Sequence, residues 1–439
     1  MRHLFSVMVL TLCCSSFAFA LEWDVAVPGA KARLGFGGGF FNGAWSQLRL
    51  EVSGAGAYRL KLSTLSGRFR DGFLPLTANL KVPEGSGVRV QTLVLPLSNH
   101  VVRLTLEGET GAKTVTLEPF NTATAISLTS GVTGARGNSF ELNPEDLPVN
   151  PALLLGVPEV IVSEPGVHAG ALLAALAAGS RVFLKSDIKL LEHLSGTVGL
   201  GRIERNLDSK NLPTSLNLDS LAKMLAPQVH VPAQRHQVLG WWAVVGFIVA
   251  LWVYSARRLE VRFVWGSGTA MFVFGLVGFW AFTPQASSAE NTTQVLIGSR
   301  GWGLKLLVTS RLDLRATKIQ LPSGAKILSG ELLEYHTDGV DLQTKAWRKH
   351  SFVLPPVASM VPLRVRLGQI ENTGSMRFSE VQVVGYGAQE PLAPGSRSKI
   401  QETGISDFYN FETLPKGSVV ARVNGLQPLF VIALPEVNQ

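Results

Sequence analysis

The sequence predicts a multidomain membrane protein: an N-terminal β-sandwich, a small α/β domain, a two-helix transmembrane hairpin and a C-terminal β domain. Three observations predict it. Two uncharged apolar stretches, Val238 to Tyr254 and Phe263 to Phe282, each approach the ~20 residues that a helix needs to cross a ~30 Å hydrocarbon core. On both sides of them, short runs alternate apolar and polar residues with period two, the pattern of half-buried strands. Between Asn121 and Ile203, short apolar runs flank the helical stretch "VHAGALLAALAA", which argues for a small parallel α/β unit.

From the start, Met1-Arg2-His3 is a basic head, Leu4 to Leu12 is apolar, and Ala18-Phe19-Ala20 offers small residues at a cleavage site, so residues 1–20 read as a signal peptide. A lipoprotein signal through Cys13 or Cys14 is the alternative, set against the large Leu12 before Cys13. Residues 21–120 alternate as Gln47 to Val52, Tyr58 to Leu62, Val88 to Gln91, Val101 to Leu106 and Lys113 to Leu117, broken by Gly, Pro and Asn. That is the pattern of a β-sandwich. Its basic positions, Arg49, Arg59, Lys61, Arg89, Arg103 and Lys113, form a candidate face for an anionic ligand if they share one surface.

Residues 121–205 should carry strands at Ala125 to Leu128, Val160 to Val162 and Arg181 to Leu184, helices at Val167 to Ala178 and Asp187 to Leu194, and a further strand at Val198 to Ile203. Residues 206–237 are polar and interrupted by Pro213, Pro227 and Pro232; they read as a linker with one short helix near Leu218 to Leu225. The hairpin then occupies residues 238–283. Trp241, Trp242 and Trp280 mark one interface, and Trp252, Tyr254 and Trp265 the other. Arg257, Arg258 and Arg262, in the short loop 255–262, place that loop in the cytoplasm by the positive-inside rule. Both flanking regions are then extracytoplasmic, on a two-pass protein of a bacterial inner membrane facing the periplasm or the open exterior. The pair Gly266/Ala270 would pack the two helices of the hairpin on each other or, as the alternative, on a partner helix. Thr283 to Gln294 is a second polar linker, and residues 284–439 return to short strands, among them Val295 to Ile297, Leu304 to Val308, Lys318 to Leu321, Leu363 to Leu367, Val381 to Val384 and Leu429 to Leu434.

Composition narrows the chemistry. The two cysteines both lie in the signal segment, so a mature chain has no disulfide, thiolate metal site or cysteine nucleophile. The net charge of +8 comes from scattered Lys and Arg and gives no clustered nucleic-acid footprint. No histidine pair has metal-ligand spacing, and the glycines at 35, 37, 38 and 39 lack the lysine of a phosphate loop. Ser-x-x-Lys occurs four times, at Ser186/Lys189, Ser220/Lys223, Ser323/Lys326 and Ser396/Lys399, without a Lys-Thr-Gly partner. No catalytic residue, metal or cofactor is expected; the remaining enzymatic reading is a serine hydrolase, which would need one of these pairs in a cleft within hydrogen-bond reach.

Three stretches, "GGFFNGAWSQLRLEV", "EDLPVNPALLLGVPEVIVSEPGVHAGALLAALAAGSRVFLKS" and "ARRLEVRFVWG", resemble a group of uncharacterised bacterial membrane proteins. These join an extracytoplasmic β-sandwich to a domain similar to class I glutamine amidotransferases and then to transmembrane helices. The resemblance implies an amidotransferase-like fold for residues 121–205. It carries no active site with it, because such enzymes use a cysteine that no mature position supplies. The expected function is a non-enzymatic, membrane-anchored envelope protein whose exterior domains serve as a protein-interaction scaffold or accessory subunit, with membrane lipid and an envelope protein as partners. The alternative is a module that binds a cell-wall glycan or another anionic polymer.

Overall fold

The computed structural model describes residues 23–35, 39–41, 45–64, 76–84, 88–96, 101–120, 125–130, 134–136, 139–185, 191, 196–205, 216–229, 244–246, 248–249, 252–253, 289–313, 322, 324–330, 334–335, 342–343, 348–403, 414–423 and 428–436. Strands dominate them. The first nine are β1 (Trp23–Val27), β2 (Ala30–Leu34), β3 (Gly39–Phe40), β4 (Trp45–Val52), β5 (Gly56–Thr64), β6 (Leu76–Val82), β7 (Arg89–Pro96), β8 (Val102–Gly108) and β9 (Gly111–Pro119). They form a four-stranded sheet, β1-β2-β4-β7, facing a five-stranded sheet, β3-β9-β8-β5-β6. Alternation explains the pairing of faces. Leu48, Leu50 and Val52 of β4 and Leu60, Leu62, Leu104 and Leu106 of β5 and β8 point into one core, with polar neighbours outward.

The next unit contains β10 (Ala125–Leu128), β11 (Gly134–Arg136), β12 (Ser139–Leu142), β13 (Glu159–Val162), β14 (Arg181–Leu184), β15 (Gly196–Val198) and β16 (Gly201–Glu204), with helix α1 (Ala169–Ala178) between β13 and β14. The sheet order is β11-β12-β10-β13-β14-β16-β15; β12, β10, β13, β14 and β16 run parallel, and the two edge strands are antiparallel. Val198 to Ile203 is therefore not one strand. A turn at Gly199 (φ 65°) folds it into the hairpin β15–β16, and a side chain there would meet the Leu176 carbonyl at 2.8 Å, so glycine permits the hairpin to close on the end of α1. The helix expected over Asp187 to Leu194 is not continuous either. Leu191 has a left-handed φ of 57°, and the remaining residues of that stretch lie outside the described ones.

The C-terminal strands are β17 (Ala289–Ser299), β18 (Trp302–Asp313), β19 (Lys326–Gly330), β20 (Glu334–Tyr335), β21 (Leu342–Gln343), β22 (Arg348–Val353), β23 (Val357–Met360), β24 (Leu363–Arg366), β25 (Gln369–Asn372), β26 (Glu380–Val383), β27 (Gly387–Gln389), β28 (Arg397–Lys399), β29 (Val419–Val423) and β30 (Leu429–Ala433). Nine of them build one sheet, β19-β22-β18-β17-β30-β29-β26-β27, with β23 pairing β18 beyond the end of β22. Strands β24, β25 and β28 form a smaller sheet, and β20 pairs β21. The polar linker expected up to Gln294 is shorter than that, because Ala289 to Gln294 are already in β17, paired along their whole length with β18.

Helix α1 explains how these units are joined. Seven of its ten residues are buried, on more than one side, which is what a helix apolar all round requires. Leu172, Ala175 and Leu176 belong to the same core as Val160, Val162, Val182 and Leu184 of the parallel sheet and as Val295, Ile297, Leu304 and Leu306 of the nine-stranded sheet. The indole N–H of Trp302 donates to the Leu173 carbonyl at 3.0 Å, tying β18 to the helix. Helix α2 (Leu218–Met224) adds Leu221 and Ala222 to that core, and its Asp219 pairs with Lys326 of β19 at 2.6 Å. The sandwich attaches through Trp45, whose indole N–H donates to the buried Gly324 carbonyl at 2.7 Å, and through the ring series Phe41, Phe120 and Phe140. The far face of the nine-stranded sheet packs Leu296, Val381, Val431 and Ala433 against Leu363, Val365 and Ile370 of the three-stranded sheet, which is the outermost layer.

The two-helix transmembrane hairpin does not stand. Among the described residues no helix is long and apolar enough to cross a membrane. The described part of 238–283 consists of the helical residues Val244 to Gly246, Ile248, Val249, Trp252 and Val253. The two-pass inner-membrane architecture and its localisation are corrected accordingly. An apolar run of the right length meets a necessary condition for a span, not a sufficient one. The union of the two halves has another cause, the core around α1. Trp241, Trp242, Tyr254, Trp265 and Trp280, Arg257, Arg258 and Arg262 with loop 255–262, and the signal segment 1–20 lie outside the described residues.

Candidate functional site

Open parallel sheets present ligands at the carboxyl ends of their strands, where the chain reverses the direction in which it adds them. Here the parallel strands follow the order β12-β10-β13-β14-β16, so that point lies between β10 and β13. Glu164, two residues past β13, reaches across it and accepts the Ser130 N–H at 3.0 Å. The Ser130 hydroxyl and backbone N–H, with the Lys185 ammonium beyond them, hold the Glu164 carboxyl below its ordinary value of 4.5 against the opposing effect of burial. The chain's own carboxylate thus takes the amide that an anionic ligand would use in this position, and a carboxylate so held is a weak base.

The face of this sheet turned away from α1 carries a buried charge cluster around Phe183. Arg181, 5% exposed, contacts Glu204 at 2.6 Å and Glu159 at 3.3 Å, and its guanidinium lies 4.4 Å from the centre of the Phe183 ring. Arg202 lies 3.1 Å from the other Glu204 oxygen. The expectation of strands buried in the parallel-sheet manner is met by β14, all four of whose residues are buried, whereas β12 and β13 alternate buried and half-buried residues.

The six basic residues singled out from the sandwich do not share a surface. Arg59, Lys61 and Arg103 stand on the outer face of the five-stranded sheet, where Lys61 pairs with Glu107 at 2.8 Å. Arg49 is on the outer side of the other sheet, opposite Arg33, and Arg89 begins β7 at that sheet's edge. Lys113 pairs in register with the inward-facing Leu106, on the opposite side from Arg103. Period two tells which residues share a strand face, not which strands share a sheet.

Of the Ser-x-x-Lys pairs, Ser220 lies in the first turn of α2 and its N–H is accepted by the Asn217 side chain, so that segment is a helix cap. Ser396 donates to the Ala393 carbonyl ahead of β28, with Lys399 at the end of that strand. Ser186, Lys189 and Ser323 lie outside the described residues. Among the described residues no three His, Cys, Asp or Glu side chains form a metal-holding group.

What the sequence reading missed is a set of exposed apolar side chains in the C-terminal region. Val357 and Met360 on strand β23 are 51% and 71% exposed, and Leu367, at the tip of the β24–β25 hairpin, is 79% exposed. Leu367 also has φ 50° and precedes Gly368 with φ 72°, a two-residue turn in which Asn-Gly is the ordinary choice and an apolar side chain is strained. Natural proteins blunt the edges of sheets with charge or proline, and β23 presents Val-Ala-Ser-Met after Pro355-Pro356. The only signals in the sequence were "VASM" and the Leu-Gly turn, and neither stands out without knowledge of the edge. No family model matches the chain, and no curated protein matches it.

Proposed function

We propose that this chain is a non-enzymatic interaction scaffold that binds another protein through the exposed apolar side chains of β23 and of the β24–β25 turn. The observation that carries the reading is that Met360 and Leu367, the two most exposed large apolar residues among those described, lie within one short stretch of chain. An exposed apolar edge strand is a template for pairing with a partner's strand, and a strained apolar turn is stable only where something repays its cost. The amidotransferase-like reading of residues 121–205 belongs to the same proposal, as a fold without its nucleophile, since the only cysteines of the chain are Cys13 and Cys14. The glycan-binding alternative has less support, because the basic residues that motivated it are divided between two sheets. Co-purification of tagged chains from cells tests the scaffold. A stoichiometric protein should travel with the parent chain, be lost with Met360→Glu/Leu367→Asp, and be retained with Val90→Asp, a control at a distant exposed valine. Equal recovery with both variants, or recovery of the chain alone, rejects it.

A further inference from the structure

The three-stranded sheet β24-β25-β28 turns one face to the core and one outward. Register fixes what the outward face carries. Arg364 stands opposite Glu371, which stands opposite Arg397; in the next row Arg366 faces Gln369, which faces Lys399. Leu363, Val365 and Ile370 alternate with them and are buried, so the six polar side chains share one outer surface. Four are cations and one is an acid. Glu371 is engaged by Arg397, whose Nε and terminal nitrogen donate to one carboxylate oxygen at 3.0 and 2.8 Å. Arg364, Arg366 and Lys399 form no ion pair among the described residues, and all three are exposed. The Arg364 guanidinium lies along Gly301, where a side chain would meet it at 3.0 Å, so its position is set by the neighbouring β17–β18 turn. Leu367 stands at the end of this face, at the turn joining β24 and β25.

We infer that this face recognises an extended acidic peptide segment of the protein partner, a reading that rests on the scaffold proposal and names the chemistry of its partner. Charge and spacing both point there. Rows on one strand face are about 7 Å apart, the same repeat at which an extended peptide presents every second side chain. A peptide with acids at alternate positions therefore meets Arg364 and Arg366 in step, and Arg forks match carboxylates with two parallel hydrogen bonds. An apolar residue at the end of such a segment would cover Leu367. A polyanionic glycan would use the charges but leave Leu367 without an apolar counterpart.

The test uses the full chain and a labelled ten-residue peptide alternating Glu with Val or Ser and ending in Leu, read by fluorescence anisotropy. Binding should weaken about tenfold or more in Arg364→Ala/Arg366→Ala/Lys399→Ala. It should fall several-fold when the same residues are rearranged with the acids in one block, and strengthen in Glu371→Gln, which removes the face's only acid. Unchanged affinity in the triple variant, no preference for the alternating order, or preferential binding of a sulfated polysaccharide to the same face would each overturn the inference. Should the cellular partner still co-purify with the triple variant, the acidic-segment inference fails and the scaffold stands; should the partner be absent from the parent chain as well, the scaffold itself fails.

Discussion

The Asn291 side-chain amide donates to the Gln228 carbonyl at 2.8 Å, so the chain leaves the described core after Val229 and returns at Ala289 at nearly the same place. Residues 230–288, which include both apolar stretches, thus connect two neighbouring points of that core. Excising them and joining Val229 to Ala289 through about six Gly and Ser residues should leave the fold intact. The magnitude follows from loop closure. Shortening a connection of roughly 60 residues to about six lowers its entropic cost by (3/2)RT ln 10, about 2 kcal/mol, in favour of the folded state. The core around α1 loses nothing, because Leu172 and Leu176 still pack on Val295, Ile297, Leu304 and Leu306. Urea unfolding followed by tryptophan fluorescence gives the comparison, with one cooperative transition at an unchanged or higher midpoint as the expected result. Two separated transitions, or loss of cooperative unfolding, would refute the claim that the shared core, and not the connection, joins the two halves.

Other perturbations probe single joints of the same structure. Trp302→Phe keeps the ring but removes the donor to the Leu173 carbonyl, and should lower stability by about 1 kcal/mol in the same urea assay. Glu204→Leu leaves the buried Arg181 without its closest carboxylate and should cost about 3–5 kcal/mol, while Arg181→Met/Glu204→Leu should recover most of the loss in a double-mutant comparison. Glu164 has its folded-state value depressed, so its contribution is present above 4.5 and disappears as pH falls through the lower folded value. Carboxyl NMR should show this side chain titrating below an ordinary glutamate, and Ser130→Ala, which removes the hydroxyl, should move it back upward.

Local pattern made much of the fold readable. Gln47 to Val52 lies within β4, Tyr58 to Leu62 within β5 and Ala125 to Leu128 coincides with β10, because alternation and β-branched runs act over a few residues. Helix α1 was legible from its alanines and the Gly179 stop, which adopts φ 101°. What could not be read was everything that depends on distant partners. The packing of α1 on β18 joins residues more than a hundred positions apart, as in Trp302 to Leu173. The basic row of the three-stranded sheet is similar: "LRVR" reads as an alternating strand, but only β28 brings Arg397 and Lys399 beside it. The apolar stretch misled because a run of the right length and composition is a necessary condition for a span and not a sufficient one.

A photo-reactive residue in place of Leu367, illuminated in cells, reports what touches the β24–β25 turn. A single discrete adduct with another protein is expected, with the crosslinked peptide of that partner rich in alternating Asp or Glu, and no such adduct from the same residue placed at Val90. Adducts that are absent, or equal from both positions, would contradict an interaction surface at the β24–β25 turn.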